Sequence, residues 1–251
     1  MEKAIVITGA GRGIGRAVAL RLAQEMPLVL VGLTSAHLEA VANDVMARDG
    51  RAVVVSGDVA DPATAARAVE AAHAQGWTVG GLVASAGIGK GGATHEFLAE
   101  DWKRLFDVNV HGAFHFVRAV LPDMLAAGSG TICLVASTAG VKGYAYAAGY
   151  SASKHALVGL ARSMAKEYGK RGIVTVPVCP GFVDTDMARH TIEGLMKHRG
   201  ISEAEARAKI ERVNPQRRII PAEEVAEAVA FVLSGKVPAL SGEPMILGGG
   251  E

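Results

Sequence analysis

Short runs of Val, Ile and Leu alternate with longer amphipathic stretches from one end of this chain to the other, and that alternation limits the folds open to it. Apolar runs at 3–8, 28–33, 52–56, 80–84, 131–136, 173–178 and 244–247 are too short for helices and lack the polar alternation of half-exposed strands. Between them, apolar residues recur at helical spacing over 13–25, 36–48, 62–75, 101–127, 150–170 and 222–234. Strands buried on both faces, each followed by a helix, predict an α/β fold with a seven-stranded parallel sheet and helices on both faces. The pattern has no linker, repeat or low-complexity tract, so residues 1–251 are read as a single domain. The one departure is 186–220, which is helix-capable and polar, with eight Lys/Arg against four Glu between Met187 and Ile220. It reads as an insertion over one end of the sheet.

Composition removes several classes of function. A formal net charge of +1 gives no electrostatic case for nucleic acid or a membrane surface. No apolar run approaches the roughly 18 residues of a membrane span. The opening "MEKAIVITGAGRGIGR" has an acid at position 2 and only a brief apolar run, unlike a secretory signal, so a cytoplasmic location is expected. Cys133 and Cys179 each lie in an apolar segment, as buried free thiols of a reducing compartment would.

The first apolar run leads directly into "TGAGRGIG", Thr8 to Gly15, and then into a helix. Glycines between a first strand and a first helix let the backbone approach a dinucleotide pyrophosphate, which the helix N-terminus then favours. The spacing is T-G-x-x-x-G-x-G and not the commoner G-x-G-x-x-G, and no G-K-[ST] follows, so this is not a P-loop. The placement predicts a doubly wound, Rossmann-type sheet with a bound dinucleotide. Further along, "GYSASKHALVGLARS" puts Tyr150 and Lys154 four residues apart at a helix start, on one face. Lowering a phenol from about 10 by about 3 units takes roughly 4 kcal/mol, which an ammonium at about 4 Å can supply at an effective dielectric of about 20. Taken alone, the pair reads equally as an acid–base unit or as a helix-surface contact.

The order and spacing of these motifs resemble the short-chain dehydrogenase/reductase family along nearly the whole chain. "TGAGRGIG" is similar to its glycine motif, Ser137 in "LVASTAG" to its active-site serine, and Tyr150 with Lys154 to its Y-x-x-x-K. Asn109 in "DVNVHG" matches its helix-kinking asparagine, and "CPGFVDTDM" its P-G motif. Read singly, Ser137 is a strand-end serine and Asn109 a bend in a helix. As a set, the resemblance implies catalysis by Asn109, Ser137, Tyr150 and Lys154, with hydride moving to or from a nicotinamide. Tyr150 would exchange the proton with the carbonyl or alcohol oxygen, and Ser137 would orient that oxygen. Lys154 would lower the tyrosine pKa and bind the ribose, while Asn109 would hold a water joining Lys154 to solvent. The cofactor positions it implies are Gly9, Gly11, Arg12, Gly13, Ile14, Gly15, Thr34, Ser35, Asp58, Val59, Ala86, Gly87, Pro180, Gly181, Val183 and Thr185, together with Tyr150 and Lys154. No metal is expected. One departure is "ASAG" at 84–87, where the family commonly has N-N-A-G, and it puts the local hydrogen bonding in question. Another is Val176–Pro177, where N-A is common.

Strand two ends "VGLTSAHLE", and Gly32 to Ala36 contain no acid to meet a ribose hydroxyl. Arg12, Thr34 and Ser35 suit a 2′-phosphate, so NADP(H) is favoured over NAD(H); Ser35 reads equally as the cap of the next helix, and the two roles are compatible. "GGAT" (Gly91–Thr94), "YSASKH" and "CPGFVDTDM" resemble reductases of 3-oxoacyl thioesters carried by acyl-carrier protein or CoA, including polyketide ketoreductases. The basic excess in 187–220 would suit such a carrier. The alternative within the class is a dehydrogenase of a small alcohol, sugar or hydroxy acid, and outside it a non-catalytic nucleotide sensor. His111 and His115 lie four apart without a third ligand nearby and read as packing residues. Tyr144 and Tyr146 are either substrate-wall or loop residues, and Arg217 and Arg218 either solvated or anion-facing. The apolar circumference of 101–127 and the family pattern predict a homotetramer built on 101–127, 150–170 and the last strand.

Overall fold

A computed structural model describes residues 1–251. The seven strands are β1 (Glu2–Thr8), β2 (Leu28–Gly32), β3 (Ala52–Ser56), β4 (Trp77–Ala84), β5 (Gly130–Val135), β6 (Ile173–Pro180) and β7 (Met245–Leu247). They form one sheet in the order β3-β2-β1-β4-β5-β6-β7, with every neighbouring pair parallel. The helices are α1 (Gly13–Leu22), α2 (Ser35–Met46), α3 (Pro62–Ala74), α4 (Ala99–Phe106), α5 (Ala113–Ala127), α6 (Ala148–Tyr168), α7 (Asp186–Arg199), α8 (Glu203–Glu211) and α9 (Ala222–Leu233). No helix is long and apolar enough to cross a membrane.

The continuous apolar strands are explained by two cores, one on each face. Along β1, Ala4 and Val6 face a core shared with Ala65, Phe116 and Leu157, while Ile5 and Ile7 face another shared with Val18, Leu38 and Val225. Successive side chains point to opposite faces, so a strand covered on both sides has no polar position to spare. The strand order reverses between β1 and β4, and the crevice beyond their C-terminal ends is the position where open α/β sheets bind ligands.

Two segments gain detail over their sequence reading. The helical stretch expected over 101–127, with its bend at Asn109, is divided by a π-helical turn at Asp107–Gly112 between α4 and α5. Such turns are rare and concentrate at functional sites, because the extra residue re-aims a side chain. The stretch 186–220 contains two helices, α7 and α8, the second started by a capping box in which Ser202 and Glu205 bond each other's backbone N–H. A bridge between Val183 and Ile220 closes its base, and Asp184 N and Ile220 N donate to Ile220 O (2.8 Å) and Phe182 O (2.9 Å).

Candidate active site

Four side chains from three segments meet beyond the ends of β4 and β5. Ser137 follows β5 and caps the short turn 138–140, its Oγ accepting from Ala139 N at 3.1 Å. Its own proton faces the Tyr150 hydroxyl. Tyr150 lies in the first turn of α6 and is half-buried. One turn on, Lys154 is only 4% exposed, and its Nζ donates to Val135 O at 2.9 Å. Asn109, 1% exposed, is braced on three sides. Its Oδ1 accepts from Ile88 N (2.8 Å), and its Nδ2 donates to Ile88 O (3.0 Å) and Ser153 Oγ (3.0 Å). Ser153 Oγ in turn donates to Tyr150 O at 2.7 Å. The π turn is thereby tied to the first turn of α6.

Gly87 lies where the two halves of the cluster meet. A Cβ there would lie 3.3 Å from Asn109 Oδ1 and 3.4 Å from Lys154 Nζ. The Asn109 side chain, bonded to Ile88 and Ser153, braces the π turn against the start of α6. The expected lowering of Tyr150 by Lys154 is not what the protein shows. The ammonium lies 5.8 Å from the Tyr150 ring centre, and burial pushes the phenol upward, against a smaller pull from the Ser137 hydroxyl. Burial also pushes Lys154 down to about 8, with Cys179 acting weakly the other way. Both groups are removed from water, and desolvation penalises whichever form is charged. Cys133 and Cys179 are free, and burial raises both thiols.

The glycine turn forms the adjoining wall. Gly9 has φ +67°, and a Cβ on it would come within 2.9 Å of Ala86 backbone atoms; at Gly15 it would meet Gly9 O at 2.3 Å. Only glycine fits either place. The backbone N–H groups of residues 11–15 donate to no protein acceptor, which leaves five free donors in the turn and first residues of α1. The turn therefore fits a phosphate-bearing cofactor. The replaced asparagines of "ASAG" leave this wall intact, because Ser85 N and Ala86 N both donate to Thr8 Oγ1 at 3.1 Å.

At the expected 2′-phosphate corner, two of the three donors have other partners. Arg12 Nη1 bonds Asp186 Oδ2 at 3.1 Å, with Arg189 on the other carboxylate oxygen, and Ser35 Oγ donates to Glu39 Oε1 at 2.6 Å. Thr34, not Ser35, occupies the cap position of α2, and its hydroxyl makes no protein hydrogen bond. Asp58 accepts from Ala60 N (2.9 Å) and Arg104 (2.8 Å); burial raises its pKa, and those two donors outweigh it. Val59 is buried against Gly112, where a Cβ would lie 2.8 Å from Val59 Cγ2. Ile14 packs partly buried in α1. Pro180 ends β6, Gly181 N donates to Leu247 O at 3.0 Å, and Thr185, at the cap of α7, donates to Val183 O at 3.2 Å. A Cβ at Gly13 would lie 3.1 Å from Thr185 Cγ2, so the glycine turn and the start of α7 touch.

His111 pairs with Asp107 (3.2 Å), Arg218 with both oxygens of Glu224 (2.6 and 2.8 Å), and Tyr144 with Thr138 (2.7 Å), whereas Tyr146 is exposed. Sequence reasoning missed the role of Ser153. Its spacing three residues after Tyr150 was visible, but nothing in the sequence marked Asn109 as its partner. It also missed Glu251, described below.

The model of the short chain dehydrogenase family matches residues 3–195. A levodione reductase of Leifsonia aquatica is 34% identical over 100% of this chain and 94% of its own length. A 3-oxoacyl-[acyl-carrier-protein] reductase of Escherichia coli (strain K12) is 32% identical over 99% and 96%. Among solved structures, an actinorhodin polyketide ketoreductase with NADPH has a TM-score of 0.94 at 32% identity, over 99% of this chain and 97% of that one. With a full-length match in sequence and in fold, this chain belongs to the short-chain dehydrogenase family of oxidoreductases.

Proposed function

We propose that this chain reduces a ketone with NADPH, and that its substrate is a 3-oxoacyl thioester. The observation that carries the reaction type is the convergence of Ser137, Tyr150 and Lys154, braced by Asn109, beside five unpartnered N–H donors at the start of α1. When bound, the cofactor supplies hydride to the carbonyl carbon. Ser137, whose Oγ already accepts from Ala139 N, donates its hydroxyl proton to the substrate oxygen and orients it. Tyr150 delivers a proton to that oxygen as charge develops; a phenol kept neutral by burial holds that proton until it is needed. Lys154, fixed on Val135 O, supplies positive charge beneath the phenol and reaches the ribose hydroxyls. Arg12, Thr34 and Ser35 take the 2′-phosphate, with Arg12 exchanging one anionic partner for another. The remaining cofactor contacts fall to Gly9, Gly11, Gly13, Ile14, Gly15, Asp58, Val59, Ala86, Gly87, Pro180, Gly181, Val183 and Thr185.

The thioester assignment rests on similarity to carrier-protein and polyketide reductases and on the basic excess of residues 187–220, to which Arg212, Arg217 and Arg218 after α8 contribute most; we read this segment as a cover over the substrate within a single domain. Similarity to a levodione reductase supports a second reading, a small cyclic ketone or alcohol. We further read the exposed Trp102 and Phe114 on α4 and α5 as part of a homotetramer interface. The deciding assay follows NADPH oxidation with 3-oxoacyl thioesters, cyclic ketones and sugars, for wild type and Tyr150→Phe. Turnover is expected to fall by about 10²- to 10⁴-fold in the variant while NADPH still binds. A variant retaining more than about a tenth of wild-type turnover removes Tyr150 as the acid.

A further inference from the structure

Between Ser137 and Tyr150 the chain leaves the sheet as a loop, 141–147, that few backbone bonds restrain. Lys142 N donates to Thr138 O (3.1 Å), Ala147 N to Tyr144 O (3.3 Å), and Gly92 N to Tyr146 O (2.8 Å). Tyr146 stands at φ +63°, a conformation unfavourable for a residue with a side chain, so other contacts must hold it. The loop is also held from a distance, by Glu251, 107 residues from Tyr144. Its side chain is only 5% exposed, yet it carries a carboxylate. Such burial persists only where partners replace water. The partners are Tyr144, whose hydroxyl donates to Glu251 Oε1, and Lys142 Nζ at 2.9 Å from the same oxygen. Since the phenol donates to Glu251, the 2.7 Å bond to Thr138 takes its proton from Thr138 Oγ1, giving a relay from Thr138 through Tyr144 to Glu251. Thr138 is the neighbour of Ser137, and the second carboxylate oxygen lies 3.0 Å from where a Cβ on Gly181 would stand. The group thus touches the segments on both sides of the site.

We propose that Glu251 is a positioning residue for substrate: by gripping Tyr144 and Lys142 it holds loop 141–147 where Ser137 and Tyr150 address one substrate oxygen. The role rests on the ketone-reductase reading above. It is tested with Glu251→Ala, Tyr144→Phe and the double variant in the full-length protein, by steady-state kinetics with an accepted ketone and by hydrogen exchange of loop 141–147. Either single change is expected to raise KM about tenfold with kcat altered less than about threefold, the signature of lost substrate binding by the loop and not of lost chemistry. NADPH affinity stays within about twofold, and exchange in 141–147 quickens while the β5 amides stay protected. The double variant is expected to be no worse than Glu251→Ala, because both act through one contact. An unchanged KM, unchanged exchange in 141–147, or losses that multiply in the double variant would each overturn the role. Should wild type turn over no ketone, the functional reading fails, and the exchange arm alone decides whether Glu251 holds the loop.

Discussion

Phe116, Leu134 and Leu157 belong to a core of 28 buried residues under Ser137 and Lys154, whereas α7 and α8 contribute Ile192, Ala206 and Ile210 to a cluster of four completed by Ile219. The catalytic floor is therefore welded to the sheet, and the excursion above it is lightly anchored, fastened at its base by the Val183–Ile220 bridge and at its start by Arg12–Asp186. Segments with few buried apolar contacts open at low free energy, while core elements open only with the whole domain. The difference separates two demands. Proton transfer needs side chains held to fractions of an ångström, and substrate entry needs a cover that can lift.

The largest expected contrast is in stability. Phe116→Ala should cost about 3–5 kcal/mol of global stability, through lost burial and a cavity. Ile210→Ala should cost under about 1 kcal/mol globally, because its cluster can open without unfolding the sheet. Denaturant titration of both variants decides this, and equal losses would make the excursion part of one cooperative unit. Next comes Arg12, which joins the two regions. A charge-assisted bond to a phosphate is worth roughly 1.5–3 kcal/mol, so Arg12→Ala should raise the NADPH dissociation constant about 10- to 100-fold and NADH much less. Equal loss for both cofactors would mean that Arg12 only shapes the turn.

A pH profile probes the floor alone. Lys154 is pushed from 10.5 down to about 8 by burial, so activity that needs its charge should be flat below pH 8 and fall about tenfold per unit above it. Stability responds in the opposite sense. The folded state releases this proton before the unfolded chain does, so the group's contribution rises between about pH 8 and 10.5. A rate that stays level up to pH 9.5 would remove Lys154 as the charged partner. The smallest effect belongs to the carboxylates facing the phosphate corner. Exposed ion pairs contribute about 0.2–1 kcal/mol, so Asp186→Asn, which frees Arg12, should tighten NADPH up to about fivefold. Weaker binding would show that Asp186 positions Arg12 for the phosphate instead of competing with it.

The strand and helix order was legible because apolar periodicity is local: β1 reads as apolar at every position since both of its faces are covered. The glycine turn was legible for the same reason, since its backbone needs are met within a few residues, and Tyr150 and Lys154 were placed on one face by helical spacing alone. Their electrostatics were not legible. Spacing predicts that an ammonium lowers the phenol, but burial, which depends on what packs above, raises it instead. Only the tertiary structure decided that Asn109 meets Ser153 across 44 residues, that Arg12 meets Asp186 across 174, and that Glu251 closes on Tyr144 across 107. No periodicity reports such pairs. They form only after helices and strands have docked, and each depends on loop paths that backbone propensity leaves open.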